Sequence, residues 1–330
     1  MSEYAASPGY KRWLDDLRLS DSRQKSAHNL LKHIIAPTVR RADNTRHAAK
    51  SCIEKIEALY INLGQELDRL RFIEEQLARV GVVGQRIEAV DGHKPLPTDL
   101  ASYFNPKHVM DAGALGCYAS HIRAWQQIIL QRLPYALVLE DDAILEFDLA
   151  NILRNILAAL PHDWDMVHLA TDADRAVLPI AELGEHHTLV RYSRVPPGTV
   201  GYLISAAGAQ KMLTAETRIW PLDTDTRRPW IFRLNVFGMT PPPIRHNWRL
   251  PSTIRARGPK RRTPRRGIRA AIYNPIRNSE SFCFNFGRLG PSWWWRCLII
   301  NGLWKCGALL RPVLETWRHR RRVLVLRVLR

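Results

Sequence analysis

The sequence predicts an α/β fold, in which helices flank a sheet of β-strands, and both the alternation of its segments and its length support that prediction. From residue 57 onward, short β-prone runs alternate with longer segments of helical periodicity. A helical crossover between two successive strands makes those strands parallel, which is how an α/β sheet begins. The chain has 330 residues, of which 46% are hydrophobic, and is therefore long enough to bury the core of such a fold.

The first predicted unit is β-α-β. The run EALYINL, residues 57–63, favours a strand, and residues 65–80 place apolar side chains at helical spacing until the stop signal at Gly81. The run QRIEAV, residues 85–90, predicts the second strand, which an Asp-Gly turn pair closes. These three elements predict two neighbouring parallel strands.

The later elements continue the alternation. Residues 116–132 predict a helix that Pro134 ends, and residues 149–160 predict another amphipathic helix. Ser205 is the expected N-cap of a helix in AAGAQKML. Strands are predicted in the runs YALVL, WDMVHLA and TVGYLI. Beyond the three prolines at 241–243, the sequence becomes basic and rich in aromatic residues.

The run YALVL leads directly into three carboxylates, Glu140, Asp141 and Asp142. Ligands of open α/β sheets bind at the carboxyl ends of the strands, so the triplet is expected at the ligand-binding edge. Strand alternation would point Glu140 and Asp142 to one side and Asp141 to the other. Two converging carboxylates suit Mg²⁺ or Mn²⁺, which can bridge the phosphates of a nucleotide. Acidic residues at a helix N-terminus would look the same, so the triplet alone leaves both interpretations open.

Six ordered segments favour the metal-site interpretation. Within residues 56–247 they are IEALYINLGQELDRL, RIEAVDG, LGCYASHIRAWQQI, PYALVLEDDAIL, GYLISAAGAQKML and PLDTD. Together they resemble the bacterial glycosyltransferases of family 25, which are lipopolysaccharide and lipooligosaccharide β-glycosyltransferases with collagen galactosyltransferase relatives. The resemblance implies a GT-A-like nucleotide-sugar fold, a UDP-sugar donor that is often UDP-galactose, and transfer of a hexose to a glycan acceptor with inversion.

The resemblance also implies roles for the acidic triplet. Asp142 would ligate a Mn²⁺ or Mg²⁺ cofactor, Glu140 would contact the ribose or the metal through water, and Asp141 would orient its neighbours. Such a metal neutralises the charge that develops on a diphosphate leaving group.

The segment after the first strand is expected to contact the donor. Asn62, Asp68 and Arg69 match the family pattern I-N-L-x-x-x-x-D-R. A side-chain amide can hydrogen-bond a base or ribose there, and an arginine can pair with a diphosphate in bidentate fashion. An ordinary surface position on a helix is the alternative for Arg69. Residues 64–66 are Gly, Gln and Glu where the family usually has Asp-Arg-Arg, a difference that bears on donor affinity and identity.

Four further residues are candidates for the site. Asp91 would contact the nucleoside, although a turn alone also explains an Asp-Gly pair. His121 would orient the donor or the metal ligands, or else it fills the core. Inverting transfer needs a base for the acceptor hydroxyl, and the candidates are Asp223 and its neighbour Asp225 in PLDTD. A surface cluster of salt bridges with the arginines that follow is the alternative for these two acids.

The C-terminal quarter of the chain accounts for the net charge of +18. Residues 245–330 hold 21 Lys and Arg but two acidic residues, so the rest of the chain is close to neutral. Residues 255–269 form a polycation, and the tryptophans and aliphatic residues that follow are interrupted by charges before they reach a membrane-spanning length. The pattern predicts a segment that lies on an anionic membrane surface. Packing of its apolar residues on the catalytic domain is the alternative.

The predicted organisation has three parts: a polar extension over 1–52, a GT-A-like catalytic domain over 53–250 and a membrane-associating tail over 251–330. Five scattered cysteines and the lack of a signal-peptide pattern favour a cytoplasmic enzyme, attached peripherally to the inner face of a bacterial inner membrane. The expected partners are a UDP-sugar, a glycan or lipid-linked glycan acceptor and the membrane surface, with no specific nucleic acid. A metal-dependent phosphohydrolase and a nucleic-acid-binding protein are the rival interpretations.

Overall fold

An eight-stranded mixed sheet forms the centre of the fold. The computed structural model describes residues 56–106, 110–173, 175–214, 218–250 and 283–298, so the extension predicted over 1–52 lies outside the described residues. The strands are, in chain order, β1 (Glu57–Asn62), β2 (Val83–Glu88), β3 (Tyr135–Glu140), β4 (Ala143–Leu145), β5 (Met166–His168), β6 (Val177–Leu183), β7 (His187–Tyr192), β8 (Gly201–Ser205), β9 (Val236–Thr240) and β10 (Ile244–His246). The helices are α1 (Leu67–Val80), α2 (Thr98–Ala101), α3 (Ala112–Leu130), α4 (Leu149–Ala159), α5 (Ala206–Met212) and α6 (Leu222–Thr226), followed by a C-terminal helical pair over 283–289 and 291–298.

The order of strands in the sheet is β2-β1-β3-β8-β5-β9-β7-β6. β1 runs parallel to both β2 and β3, and α1 is the crossover between β1 and β2, which confirms the predicted β-α-β unit. β8 lies antiparallel between β3 and β5, while β7 and β6 form an antiparallel edge. β4 and β10 pair as a separate ribbon that begins directly after the acidic triplet.

Helices cover both faces of the sheet. Successive side chains of β1 point to opposite faces, so Leu59 packs in one buried cluster with Trp125 of α3, and Tyr60 packs in another with Ile73 of α1 and Leu153 of α4. A mixed sheet between two layers of helices is the α/β, GT-A-like architecture that the sequence predicted.

Local sequence explains where several helices begin and end. α1 stops at Gly81, which adopts the left-handed conformation with φ of 68°. α3 begins at Ala112 instead of the predicted residue 116, because the Asp111 side chain accepts a hydrogen bond at 2.9 Å from a backbone N–H of its first turn. Ser205 caps α5 as predicted, through a hydrogen bond at 3.0 Å.

The antiparallel edge formed by β7 and β6 does not follow from the sequence patterns. β6 contains Pro179, and a proline argues against a central strand because it has no N–H to donate. The sheet accepts this proline because β6 is its last strand and because the register shifts between Pro179 and Ala181.

The C-terminal helical pair packs against the start of β6. Leu289, Trp294 and Cys297 are buried in a cluster with Ala176, whereas Trp295 remains 59% exposed. These residues therefore follow the alternative of packing on the catalytic domain. Residues 251–282 and 299–330 lie outside the described residues, so membrane attachment stays a prediction. Within the described ranges, no helix combines the length and the apolar character needed to cross a membrane.

Candidate active site

A cleft of about 150 Å³ lies at the carboxyl ends of β1, β2 and β3. We call it the acidic cleft, and its walls also include the first half of α3 and His246 at the end of β10. The parallel strands end at the same edge of the sheet, which explains why distant motifs meet there. Seven residues singled out from the sequence line it: Asn62, Arg69, Asp91, His121, Glu140, Asp141 and Asp142.

Arg69 holds in place the acidic loop, which we define as residues 140–142. Its Nε donates to Asp141 Oδ1 at 2.8 Å, and a terminal nitrogen donates to Asp142 Oδ2 at 2.6 Å. Asn62 Nδ2 donates to the other oxygen of Asp141 at 2.8 Å. All four side chains are buried, so these charge-assisted bonds act where water screens them little. Arg69 is thus not a surface residue, and its guanidinium is already engaged by two carboxylates of the protein.

The directions of the three acidic side chains differ from strand alternation. β3 ends at Glu140, so Asp141 and Asp142 lie in the turn before β4 and do not follow the two-residue period. Both turn toward Arg69, whereas Glu140 Oε1 accepts a hydrogen bond from the Thr199 hydroxyl at 2.6 Å. The prediction that Asp141 points away from both of its neighbours is therefore wrong.

His121 belongs to a buried chain of hydrogen bonds. The Tyr202 hydroxyl accepts from Trp125 Nε1 at 2.9 Å and lies 2.8 Å from His121 Nδ1. Since the Tyr202 hydroxyl needs an acceptor for its own proton, it donates to Nδ1, and a neutral imidazole then carries its proton on Nε2. That nitrogen lies 3.6 Å from Glu140 Oε1. This geometry supports the predicted orienting role of His121.

Gly92 and Gly116 allow the backbone of α3 to pack directly against the backbone of the loop that follows β2. A Cβ at Gly92 would lie 1.9 Å from the Ala112 carbonyl oxygen, and a Cβ at Gly116 would lie 2.5 Å from that of Val90. Ser120 fastens the contact, because its hydroxyl accepts from Val90 N at 2.8 Å and donates to Gly116 O at 2.6 Å. The motifs AVDG and GCYASH are thus two halves of one packing contact that forms a wall of the acidic cleft.

Asp91 and Asp68 lie in different places. Asp91 lines the acidic cleft, and its Oδ1 also accepts from His93 N at 3.1 Å, which is the expected turn interaction. The Asp68 side chain is 88% exposed and pairs with Arg71 at 2.5 Å. Successive helical residues point about 100° apart, so an α1 that turns Arg69 inward directs Asp68 outward. The structure therefore contradicts the prediction that Asp68 contacts the donor in this cleft.

The two acids of PLDTD have different surroundings, although both lie on α6. Asp225 is 5% exposed, accepts a hydrogen bond from the Tyr118 hydroxyl at 3.0 Å and lies outside the acidic cleft. Burial raises the pKa of Asp225 to about 6, against the lowering effects of Tyr118 and Arg228. This buried position argues against Asp225 as a base that meets an acceptor. Asp223 does not line the acidic cleft either, but it is partly exposed and therefore remains a candidate.

The protonation of the acidic pair depends on burial and on mutual repulsion. Burial and the charge of Glu140 raise the pKa of Asp142, although Arg69 acts to lower it. Burial also acts to raise the pKa of Glu140, but contacts with His121 and Thr199 outweigh it and leave that pKa lowered. Asp142 Oδ1 is buried and has no hydrogen-bond partner among the described residues. An unmatched carboxylate oxygen beside a second carboxylate fits a divalent cation.

A second set of potential metal ligands meets at Glu140. Cys117, His121 and Glu140 place ligand atoms within 4.8 Å of one another. Burial raises the pKa of the Cys117 thiol well above its usual value, and the charges of Glu140, Asp223 and Asp142 add to this effect. A protonated thiol is a poor ligand, so the carboxylate pair is the better match to Mg²⁺ or Mn²⁺.

His246 is a residue of the cleft that the sequence patterns do not reveal. β10 pairs with β4 so that His246 lies opposite Ala143, directly after the acidic triplet. Its Nε2 lies 3.3 Å from Asp142 Oδ2, and its ring centroid lies 3.9 Å from that of the exposed Trp248. Because only strand pairing brings residue 246 to residue 142, no local motif signals the contact.

Curated relatives show what this chain is similar to. It is 31% identical over 185 residues to procollagen galactosyltransferase 1 of Danio rerio, which covers 51% of this chain and 30% of the relative. It is 25% identical over 224 residues to inactive glycosyltransferase 25 family member 3 of Homo sapiens, which covers 62% of this chain and 37% of the relative. The chain thus spans about a third of the length of these relatives, and one of them is named as inactive.

A solved structure was also found to be similar. It is a glycosyltransferase involved in the glycosylation of the major capsid of PBCV-1, and the match covers 48% of this chain and 63% of that one at 15% identity. The TM-score is 0.26, so the fold assignment depends on the sheet order and strand directions and not on this likeness.

The family model described as glycosyltransferase family 25 (LPS biosynthesis protein) matches residues 55–226, just over half of the chain. The matched range runs from β1 to α6 and contains the acidic loop, Arg69, His121 and Asp223. It also contains the six segments that resemble this family in sequence. The chain belongs to glycosyltransferase family 25.

Proposed function

We propose that this chain is a metal-assisted glycosyltransferase that moves a hexose, with galactose as the first candidate, from a UDP-sugar to a glycan acceptor with inversion. One observation carries the proposal: Asp142 has an unmatched oxygen beside Glu140 at the carboxyl ends of parallel strands, in a cleft where Arg69 orients the acidic loop. Family membership supports sugar transfer, and the galactosyltransferase among the relatives supports galactose.

Asp142 and Glu140 would hold the cation, with the imidazole of His246 beside them. Hard carboxylate oxygens are ligands that Mn²⁺ and Mg²⁺ prefer. When bound, the ion stabilises the charge that develops on the diphosphate leaving group. Arg69 favours the charged form of Asp142 and fixes its orientation, so this ligand is in position before the donor arrives.

Asp223 is the proposed base. The acceptor hydroxyl oxygen bonds to the anomeric carbon of the sugar while the bond from that carbon to the diphosphate oxygen breaks. The hydroxyl proton passes to the Asp223 carboxylate, and UDP leaves with the bonding electron pair. His121 Nδ1 accepts a hydrogen bond from the Tyr202 hydroxyl, and this contact orients the ring toward Glu140, so His121 acts as a positioning residue.

The nucleoside of the donor has room beside the acidic cleft. A groove of about 290 Å³ continues past Asp91 and is lined by Gly64, Lys94 and Arg123 and by the acidic Glu88 among others. Lys94 and Arg123 would supply positive charge near the donor, where residues 64–66 lack the arginines usual in the family.

Acceptor-dependent release of UDP tests the proposal. With Mn²⁺ and UDP-galactose, the full-length chain is expected to release UDP faster when a glycan acceptor is added, and parallel assays with other UDP-sugars identify the donor. Release of inorganic phosphate without any acceptor would indicate the rival phosphohydrolase. If UDP-galactose binds but no acceptor raises UDP release above that of Asp142→Asn, the chain is a binding protein and the transfer proposal fails.

The predicted membrane attachment is tested separately. The eight basic residues within 255–269 are replaced by glutamine in the full chain, and binding to phosphatidylglycerol vesicles is measured by sedimentation. The loss of basic residues is expected to weaken binding, because each contributes about 1 kcal/mol near an anionic surface. Unchanged sedimentation would show that this segment is not the anchor.

A further inference from the structure

A second polar cavity lies apart from the acidic cleft. Its volume is about 130 Å³, and it is enclosed by β7, the loop after α6 and the first helix of the C-terminal helical pair. None of the described residues that line it also lines the acidic cleft. A cavity needs about 10–15 Å³ to hold one water molecule, so a volume of about 130 Å³ leaves room for a phosphate group.

Arginines dominate the wall of this cavity, which we call the arginine cavity. The side chains that line it in the described part of the chain include no Asp or Glu. Carboxylates outside the wall act on some of these arginines: Arg228 lies 3.7 Å from Asp225, and the charges of Asp163 and Asp165 reach Arg191 or Arg288. Positive charge exceeds negative charge among the residues of the wall itself. The arginines are Arg191, Arg194, Arg227, Arg228 and Arg288.

Aromatic rings hold two of these arginines in place without neutralising them. The guanidinium carbon of Arg191 lies 4.5 Å from the ring centroid of Phe237, and that of Arg288 lies 4.7 Å from the ring of Phe284. Burial lowers the pKa of Arg288 to about 10, and the like charge of Arg191 adds to this effect, although the charges of Asp165 and Asp163 oppose it. Two guanidinium groups close enough to repel each other are stabilised when an anion binds between them.

We propose that the arginine cavity binds a phosphoryl group other than the diphosphate of the donor. Guanidinium groups pair with phosphate oxygens in bidentate fashion, which suits a cavity of this composition. The rings of Trp230 and Phe284, with centroids 5.9 Å apart, supply an apolar wall for the group that carries the phosphate.

The position of the arginine cavity indicates where such a ligand comes from. Thr224 of α6 lines the cavity, and the neighbouring Asp223 is the proposed base for the acceptor hydroxyl. A phosphoryl group on the acceptor, either on a glycan or in a lipid headgroup, would therefore be anchored beside the reacting hydroxyl. This assignment to the acceptor rests on the proposed function, whereas binding of the phosphoryl group does not.

Calorimetric titration of the full-length chain with inorganic phosphate tests the site. EDTA is present and the donor is absent, so that a metal in the acidic cleft cannot bind the phosphate. Arg288→Gln and Arg227→Gln are each expected to weaken binding about tenfold, the usual effect of losing one hydrogen bond to a charged group. Arg71→Gln, at an arginine with a 72% exposed side chain, is expected to bind phosphate like the unaltered chain.

Two results would overturn the proposal: unchanged affinity in both cavity variants, or an equal loss in Arg71→Gln, which would reveal a general effect of charge. Thermal unfolding of each variant shows whether it is folded. If Arg288→Gln fails to fold, Arg227→Gln decides the matter, because its side chain does not belong to the C-terminal helical pair.

Two phosphorylated probes distinguish the possible sources of the ligand. Tighter binding of monomeric dihexanoyl phosphatidic acid than of inorganic phosphate, with loss in Trp230→Ala, would assign the cavity to a lipid headgroup. Tighter binding of glucose 6-phosphate would assign it to a phosphorylated glycan. If no sugar transfer from a UDP-sugar is found while phosphate binding still depends on Arg288, the proposed function fails and the phosphoryl site stands.

Discussion

The acidic cleft and the arginine cavity accommodate charged groups in opposite ways. In the acidic cleft, the buried Arg69 lies between Asp141 and Asp142, so the protein supplies its own counter-charge. In the arginine cavity, guanidinium groups stack on aromatic rings, and no described residue of its wall is acidic. The first site is organised before a ligand binds, whereas the second is completed by an anion. Removing one charged group should therefore lower activity or stability strongly in the acidic cleft. In the arginine cavity it should change stability only slightly.

The largest expected effect is on catalysis in the acidic cleft. Asp142→Asn removes the charge that would ligate the cation, and acceptor-dependent UDP release with Mn²⁺ is expected to fall by about 10²–10³-fold, as when other groups that stabilise transition-state charge are lost. Asp68→Asn is the matched control, since Asp68 is exposed and pairs with Arg71, and it should keep full activity. Equal activity of Asp142→Asn and the unaltered chain would rule out the metal assignment.

The counter-charge itself is tested by Arg69→Met. Asp141 and Asp142 would stay buried without their partner, which costs about 3–5 kcal/mol of unfolding free energy. Arg288→Gln should change stability by less than about 1 kcal/mol, because the lost stacking on Phe284 is offset by relief of the repulsion from Arg191. Urea unfolding at pH 7 measures both. Similar losses in the two variants would contradict the contrast between the two sites.

The pH dependence of stability distinguishes Asp225 from Glu140 of the cleft, whose pKa is lowered. Its folded pKa of about 6 exceeds its usual value of 3.8, so its protonated form favours the folded state. The stability that it contributes is complete below about pH 4 and is lost as the pH rises through about 6. Relative to Asp225→Asn, the unaltered chain should lose on the order of 2–3 kcal/mol across that window. Urea titrations at several pH values measure this, and a pH-independent difference would show that the carboxyl titrates normally.

The smallest expected effect concerns the wall of the acidic cleft. Gly116→Ala would place a methyl group 2.5 Å from the Val90 carbonyl oxygen, where backbone cannot easily yield. A loss of about 1–3 kcal/mol in unfolding free energy is expected, as for other overpacked sites. Gly287→Ala is the control, because nothing described lies within 4 Å of its added methyl group and helix propensity should raise stability by about 0.5–1 kcal/mol. An equally harmless Gly116→Ala would show that the two motifs are not in tight contact.

The sequence anticipated the acidic cleft much better than the arginine cavity. Asn62, Asp91 and Glu140 each follow or end a strand, and parallel strands bring their carboxyl ends to one edge, so their meeting could be predicted from local patterns. The arginine cavity draws its residues from three separated segments. No periodicity or motif relates Arg191 to Arg288, so nothing in the sequence signalled that they meet.

Two adjacent residues show the same limit of prediction from local sequence. Asp68 and Arg69 belong to one motif and looked equally suited to contact the donor. Helical geometry directs Asp68 outward to Arg71 and Arg69 inward to the acidic loop. The motif could not decide which side faces inward, because that depends on how α1 packs on the sheet.

The sequence by itself determined the β-α-β unit, the caps and stops of several helices, and the place of the acidic triplet at the end of a strand. These features depend on interactions between residues close in the chain. Only the tertiary structure decided that Arg69 neutralises the acidic loop, that His246 joins Asp142, that Asp225 is buried and that five arginines share a cavity. Each of these depends on contacts between distant segments, whose free energy is set by packing and burial and leaves no local pattern in the sequence.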